Sequence, residues 1–179
     1  MSWIQTYTGK KFDLLNPSLD AICIEDIAHA LSNICRFTGH TDRFYSVAEH
    51  SVLVSRNVPS EFALEALMHD AAEAYIGDLS TPLKALLPEY RDIEKAVWAA
   101  ISNKFDLPYR LHDQVKLHDA IALMSERRDL IPNPHGLRWV DELEALDTYP
   151  THALCLSPED AEQYFLDTFR ILTDNRRVV

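Results

Sequence analysis

Glycine is scarce in this chain, four among 179 residues, which is too few to supply the positive-φ turns of a hairpin-rich, all-β fold. Cysteine is rarer still. Cys23, Cys35 and Cys155 form no CxxC pair, and their odd number argues against a disulfide framework, so they are expected to be small buried apolar residues. No apolar run approaches the roughly 20 residues that span a bilayer, and the opening MSWIQTYTGKKF lacks the apolar stretch of a signal peptide. The expectation is a cytoplasmic protein with no membrane partner. Positive charge is short as well: 17 Lys and Arg against 28 Asp and Glu give a formal net charge of −11. That balance opposes binding to nucleic-acid polymers and anionic surfaces. It favours a small-molecule partner, with a bound cation supplying positive charge where a phosphorylated ligand needs it.

What the chain has in abundance is helical periodicity. With 47% hydrophobic residues it is long enough for one well-buried domain, taken as residues 1–179. The expected architecture is all-α, a helical bundle with a small N-terminal β-hairpin formed around Gly9 between Gln5 and Leu14. Helices are expected from about Glu25 to Phe37, ending near Gly39, and from Ser46 to Val58. A third should run from Ser60 to about Tyr75, stopped by Gly77. Thr81-Pro82 resembles an N-cap followed by a first-turn proline, opening a short helix that Pro88 ends. Further helices are expected over about 90–105 and 113–130, then an irregular excursion over 131–150 with a turn of helix near Glu142. A last helix should begin after the Ser157-Pro158-Asp160 capping signature and reach about Leu172. Phe44-Tyr45 and Phe165-Phe169 read as core.

The stretch LEALMHDAAEAYIGDLSTPLK carries the chemistry. Leu64, Leu67, Met68 and Ala71 recur at helical spacing, so the adjacent His69 and Asp70 sit on or beside a buried face and need a neutralising partner. Glu73 returns to the same surface one turn later. His50 lies on the inward stripe of the preceding helix and Asp119 on a later one. Two imidazoles and two carboxylates suit a borderline divalent ion with open positions for water and substrate, rather than a closed structural zinc site. The remaining histidines, among them His29, His40, His112, His118, His135 and His152, lack spaced partners and read as structural or surface residues.

The order H…HD…D, with AEHS around His50, HDAAEAYIGDLSTPLK from His69 and VKLHDA before and after Asp119, resembles the HD-domain metal-dependent phosphohydrolases. It is most similar to their 5′-deoxynucleotidase branch with its prophage relatives, and to viral dATP triphosphohydrolases. The resemblance runs from about Ile24 to Leu130, and the opening TYTGKKFDLL also looks like the prophage and viral members. It implies that His50, His69, Asp70 and Asp119 ligate a divalent transition metal (Co, Mn, Zn, Ni or Fe), while Glu73 and Asp78 act as acid and base. It also implies that Arg36, Phe37, Thr81 and Lys84 contact substrate. For Arg36 a surface residue compensating a helix C-terminus is an equal alternative. Phe37 stands where the bacterial deoxynucleotidases usually carry tryptophan. The activity implied is hydrolysis of a 2′-deoxynucleotide at the α-phosphorus, releasing a deoxynucleoside with phosphate or triphosphate. A homo-oligomer in the cytoplasm of a bacterium or phage-infected host goes with it. Hydrolysis of the guanosine alarmone, and a non-catalytic HD module that binds ligand, are the alternatives.

Overall fold

The computed structural model describes residues 1–176. It is mostly helical, with one small antiparallel sheet of strands β1 (Trp3–Gln5) and β2 (Lys11–Asp13). Ile4 pairs with Phe12 at the centre of that ribbon, and Phe12 is fully buried against Tyr75, their ring centroids 3.9 Å apart. The hairpin starts two residues earlier than expected. Its first strand is WIQ, and TYTG forms the turn, closed by Gly9 at φ 83°. Asp26 ties the turn down by accepting from the Thr8 amide at 2.7 Å and the Thr8 hydroxyl at 2.9 Å.

The helices are α1 (Ile24–Asn33), α2 (Val47–Asn57), α3 (Ala63–Met68), α4 (Glu73–Ile76), α5 (Thr81–Leu86), α6 (Pro88–Lys104), α7 (Asp113–Leu130), α8 (Asp141–Glu144) and α9 (Pro158–Arg176). At the centre stands α2. It is flanked by α1, α3, α7 and α9, and eight of its eleven residues are buried rather than a single stripe. Ser46 caps it by accepting from the Glu49 amide at 3.1 Å, satisfying one of the first-turn donors. Burial on all sides means that Glu49 and His50 must find partners inside the protein. Glu49 finds three: its carboxylate accepts from the amides of Leu154, Cys155 and Leu156 at 2.7–2.9 Å and fastens the strap that leads into α9.

Several boundaries differ from expectation for local reasons. The first helix stops at Asn33, because Ile34 to Arg36 extend to pair with Tyr45 to Val47 through an isolated bridge and flanking backbone bonds. Phe37 and Thr38 then turn with left-handed φ of 54° before Gly39 at 78°. Pro88 begins α6 rather than only ending α5, a position where its missing N–H costs nothing. Ser80, not Thr81, is the residue preceding α5. All three cysteines are partly exposed rather than buried, and Phe44 is exposed while Tyr45 and Phe165 are fully buried.

Candidate metal centre

The expected helix from Ser60 to Tyr75 is interrupted where the sequence signal is strongest. Between α3 and α4, over residues 69–72, the backbone tightens to i→i−3 bonds: Ala71 to Met68, Glu73 to Asp70, Ala74 to Ala71 and Tyr75 to Ala72, at 2.9–3.3 Å. The Ala66 carbonyl, which a regular helix would offer to the Asp70 amide, accepts instead from His69 Nδ1 at 2.7 Å. A side chain inserted into the ladder in this way is a recognised cause of a local kink. Its effect here is to set His69 and Asp70 side by side at the end of α3, facing α2 and α7.

Four ligand atoms converge there. His50 Nε2 lies 3.3 Å from His69 Nε2, 3.1 Å from Asp119 Oδ1 and 3.6 Å from Asp70 Oδ2. His69 Nε2 lies 3.3 Å from Asp70 Oδ2 and 3.8 Å from Asp119 Oδ1. Adjacent ligands on a tetrahedral or octahedral ion with bonds of about 2.1 Å are themselves about 3.0–3.4 Å apart, so the spacing is close to that of a coordination shell. The His50, His69 and Asp119 ligand atoms form a cluster that can hold a metal ion.

The hydrogen bonds at the far side of each ring fix which nitrogens are available. His69 Nδ1 faces a carbonyl and can only donate to it; His50 Nδ1 lies 2.6 Å from Glu126 Oε1 and donates to that carboxylate. Both Nε2 lone pairs therefore point at one another, an arrangement that requires a cation between them. Without a metal that cation is a proton: burial and Arg36 push the His50 imidazolium down, yet Glu126 and Asp119 outweigh them and raise its pKa to about 10. For His69 burial also opposes the charge, and Asp70 and Asp119 lift its pKa above the usual value. Asp119, with the two histidines beside it, is held well below the ordinary carboxylate range despite its desolvation.

Glu73 sits at the edge of this cluster, 4% exposed, with Oε2 buried and unpartnered. Burial raises its pKa, and the carboxylates of Asp70 and Asp78 raise it further, against the pull of Lys84. Lys84 Nζ is shared between Glu73 at 2.9 Å and Glu94 at 2.8 Å. Glu94 balances the ammonium, which leaves the Glu73 carboxyl able to hold a proton. Asp78 follows Gly77, whose φ of 82° turns the chain out of α4. Burial raises the Asp78 pKa, with Arg36 opposing and Asp70 adding to it.

No family model matches this sequence. The uncharacterized protein YfdR of Escherichia coli (strain K12) is 45% identical over 179 residues, covering 99% of each chain. The chain belongs to the YfdR family. An uncharacterized protein of Rhodobacter capsulatus is 38% identical over 125 residues, 64% of each chain.

In this YfdR-family chain the four expected ligands come together, and Glu73 and Asp78 lie within electrostatic reach of Asp70. Arg36 joins them, but not as a surface residue: it is 9% exposed, with Nε 3.1 Å from Glu126 Oε2 and Nη1 3.6 Å from Asp70 Oδ2. Phe37 is half-buried under the Arg36 guanidinium, 5.3 Å from ring centroid to Cζ. Thr81 is exposed at the first turn of α5, and Lys84 reaches the site with its charge engaged by two carboxylates. Glu126, fully buried on α7, is absent from the sequence reading. Seven residues after Asp119 places it two turns along the same helix face, the one signal that points to it. A second recess lies between the end of α7 and residues 131–148. Its arginines Arg127, Arg128 and Arg138 pair with Glu144, Asp129 and Asp141 respectively.

Proposed function

We propose that this protein is an HD-type metal-dependent phosphohydrolase that cleaves 2′-deoxynucleotides at the α-phosphorus. The observation that carries the proposal is the convergence of two Nε2 lone pairs with Asp119 and Asp70 beside a buried carboxyl of raised pKa. His50, His69, Asp70 and Asp119 would hold the ion. Imidazole donors favour Co, Mn, Zn, Ni or Fe over Mg or Ca. When bound, such an ion supplies Lewis acidity toward a phosphoryl oxygen and a water of lowered pKa.

The chain's own groups do the rest. Glu73, kept protonated by burial and by its carboxylate neighbours, gives its proton to the departing 5′ oxygen, and Asp78 accepts one from the attacking water. Arg36 offsets negative charge beside Asp70. Phe37 walls the sugar side, and Thr81 with Lys84 flanks the phosphate side. Turnover of AMP, dAMP, ATP and dATP by purified protein, with one metal at a time and products identified, tests the proposal. Expected are a deoxynucleoside plus phosphate or triphosphate, with kcat/KM for the deoxy compound well above its ribo partner. Equal values for ribo and deoxy substrates would remove the deoxynucleotide assignment, and no hydrolysis of any substrate with any metal would remove the hydrolase.

A further inference from the structure

A metal-ligating imidazole works only if its other nitrogen is held, because that hydrogen bond sets the tautomer, the ring orientation and the basicity of the ligating nitrogen. His69 uses a backbone carbonyl for this. His50 uses Glu126, at 2.6 Å. That carboxylate is wholly enclosed and fully used: Oε1 also accepts from the Tyr45 hydroxyl at 3.0 Å, and Oε2 accepts from Arg36 Nε at 3.1 Å. Tyr45 is itself fully buried, and Arg36 nearly so. A carboxylate and a guanidinium together in a closed interior are expensive, and an apolar pair of similar volume would often serve stability as well or better. Their position, directly behind the one imidazole that has no backbone acceptor, indicates what the expense secures.

The geometry points to Glu126 as the positioning residue of the metal centre, holding His50 as the Nδ1–H tautomer with Nε2 aimed at the ion, and to Arg36 as the group that fixes Glu126. This rests on the metal reading above, and it gives Arg36 a second task besides any contact with substrate. Arg36 spans Glu126 and Asp70, so one guanidinium braces a histidine ligand through its carboxylate and an aspartate ligand directly. The left-handed turn at Phe37 and Thr38 immediately after it brings the chain round without lengthening the loop, and the Phe37 ring covers the guanidinium.

The test is Co²⁺ binding by metal-free wild type, Glu126→Gln and Glu126→Asp, followed by titration calorimetry and by the visible spectrum of the bound ion, with the melting temperature of each metal-free protein as the stability control. Glu126→Gln keeps the volume but removes the charge that makes His50 basic. Glu126→Asp keeps the charge against Arg36, and with it the fold, but draws the carboxylate back from His50 by one methylene. Both variants are expected to bind Co²⁺ about 10- to 100-fold more weakly per folded molecule, with a shifted spectrum. A folded Glu126→Asp protein with wild-type affinity and spectrum would overturn the inference, whatever its melting temperature. Failure of wild type to bind Co²⁺ would instead overturn the metal reading on which it stands.

Discussion

Asp70 touches both the histidine pair and Arg36, so exchanging one of its oxygens for an amide nitrogen removes a ligand charge without changing the side chain's volume. Asp70→Asn is expected to abolish turnover while leaving the helical circular-dichroism signal and most of the stability in place; full activity in that variant, or in protein stripped of metal, would contradict the ligand assignment. Glu73 is separable from this. Glu73→Gln should retain metal and substrate yet lower kcat by about 10²–10⁴, the usual cost of a lost acid or base, and lost metal would recast Glu73 as a ligand. Lys84 lowers the Glu73 pKa. Lys84→Met therefore raises it, and with Glu73 as the proposed proton donor, the alkaline limb of the kcat profile should move to higher pH. A raised KM with an unmoved limb would show that Lys84 serves the phosphate rather than Glu73. At this scale His50, His69, Asp70, Glu73 and Asp119 were legible in the sequence, since each pairs a polar group with an apolar helical rhythm. Glu126 was not. In SERRD it reads as one more charge in an acidic-basic run, and only its contacts with Arg36 and Tyr45 from the segment between α1 and α2, and with His50 of α2, show that it is enclosed.

Elements carry these residues, and the strap that leads into α9 depends on one carboxylate. Without Glu49, the amides of Leu154, Cys155 and Leu156 lose their acceptor. Glu49→Ala is expected to cost about 1–3 kcal/mol locally and to speed hydrogen exchange at those three amides roughly 10- to 100-fold, with α7 unaffected; unchanged exchange would mean that the strap is held by packing alone. The sequence identified α2 and α7 to within a residue: a cap and a stop, Ser46 and Pro59, flank α2, and apolar spacing marks α7, whose cap, His112 Nδ1 accepting from the Gln114 amide at 3.2 Å, was not read from the sequence. It misread the end of α1 and the continuity of residues 60–75. Apolar periodicity runs unbroken through Ile34 and through Ala71, so neither the backbone pairing of 34–36 with 45–47 nor the intrusion of His69 into its own helix leaves a compositional trace. Proline signals were ambiguous for the same reason: a residue that ends one helix also starts the next, as Pro88 does.

For the molecule as a whole, a net charge of −11 gives little general attraction to anions, so under the proposed function a bound ion would supply the positive charge that meets an anionic substrate. Among the described residues no helix is long and apolar enough to cross a membrane. In metal-free protein the folded His50 pKa of about 10 exceeds the ordinary 6.5, so its contribution to stability is complete below about pH 6.5 and lost as pH rises toward 10. Asp119 and Glu126 are shifted down, so theirs is present above the ordinary carboxylate pKa and lost as pH falls. The melting temperature of metal-free protein should therefore fall from mildly acidic pH in both directions, and His50→Asn should flatten the alkaline side. Added Co²⁺ should reverse that side, because binding displaces the proton and strengthens as pH rises. The most direct measurement is anomalous diffraction at the metal edge from crystals of Co²⁺- or Mn²⁺-loaded protein. A peak bonded by His50 Nε2, His69 Nε2, Asp70 and Asp119 at about 2.0–2.2 Å is expected; protein saturated with the ion but showing no peak between those four side chains would contradict the metal centre.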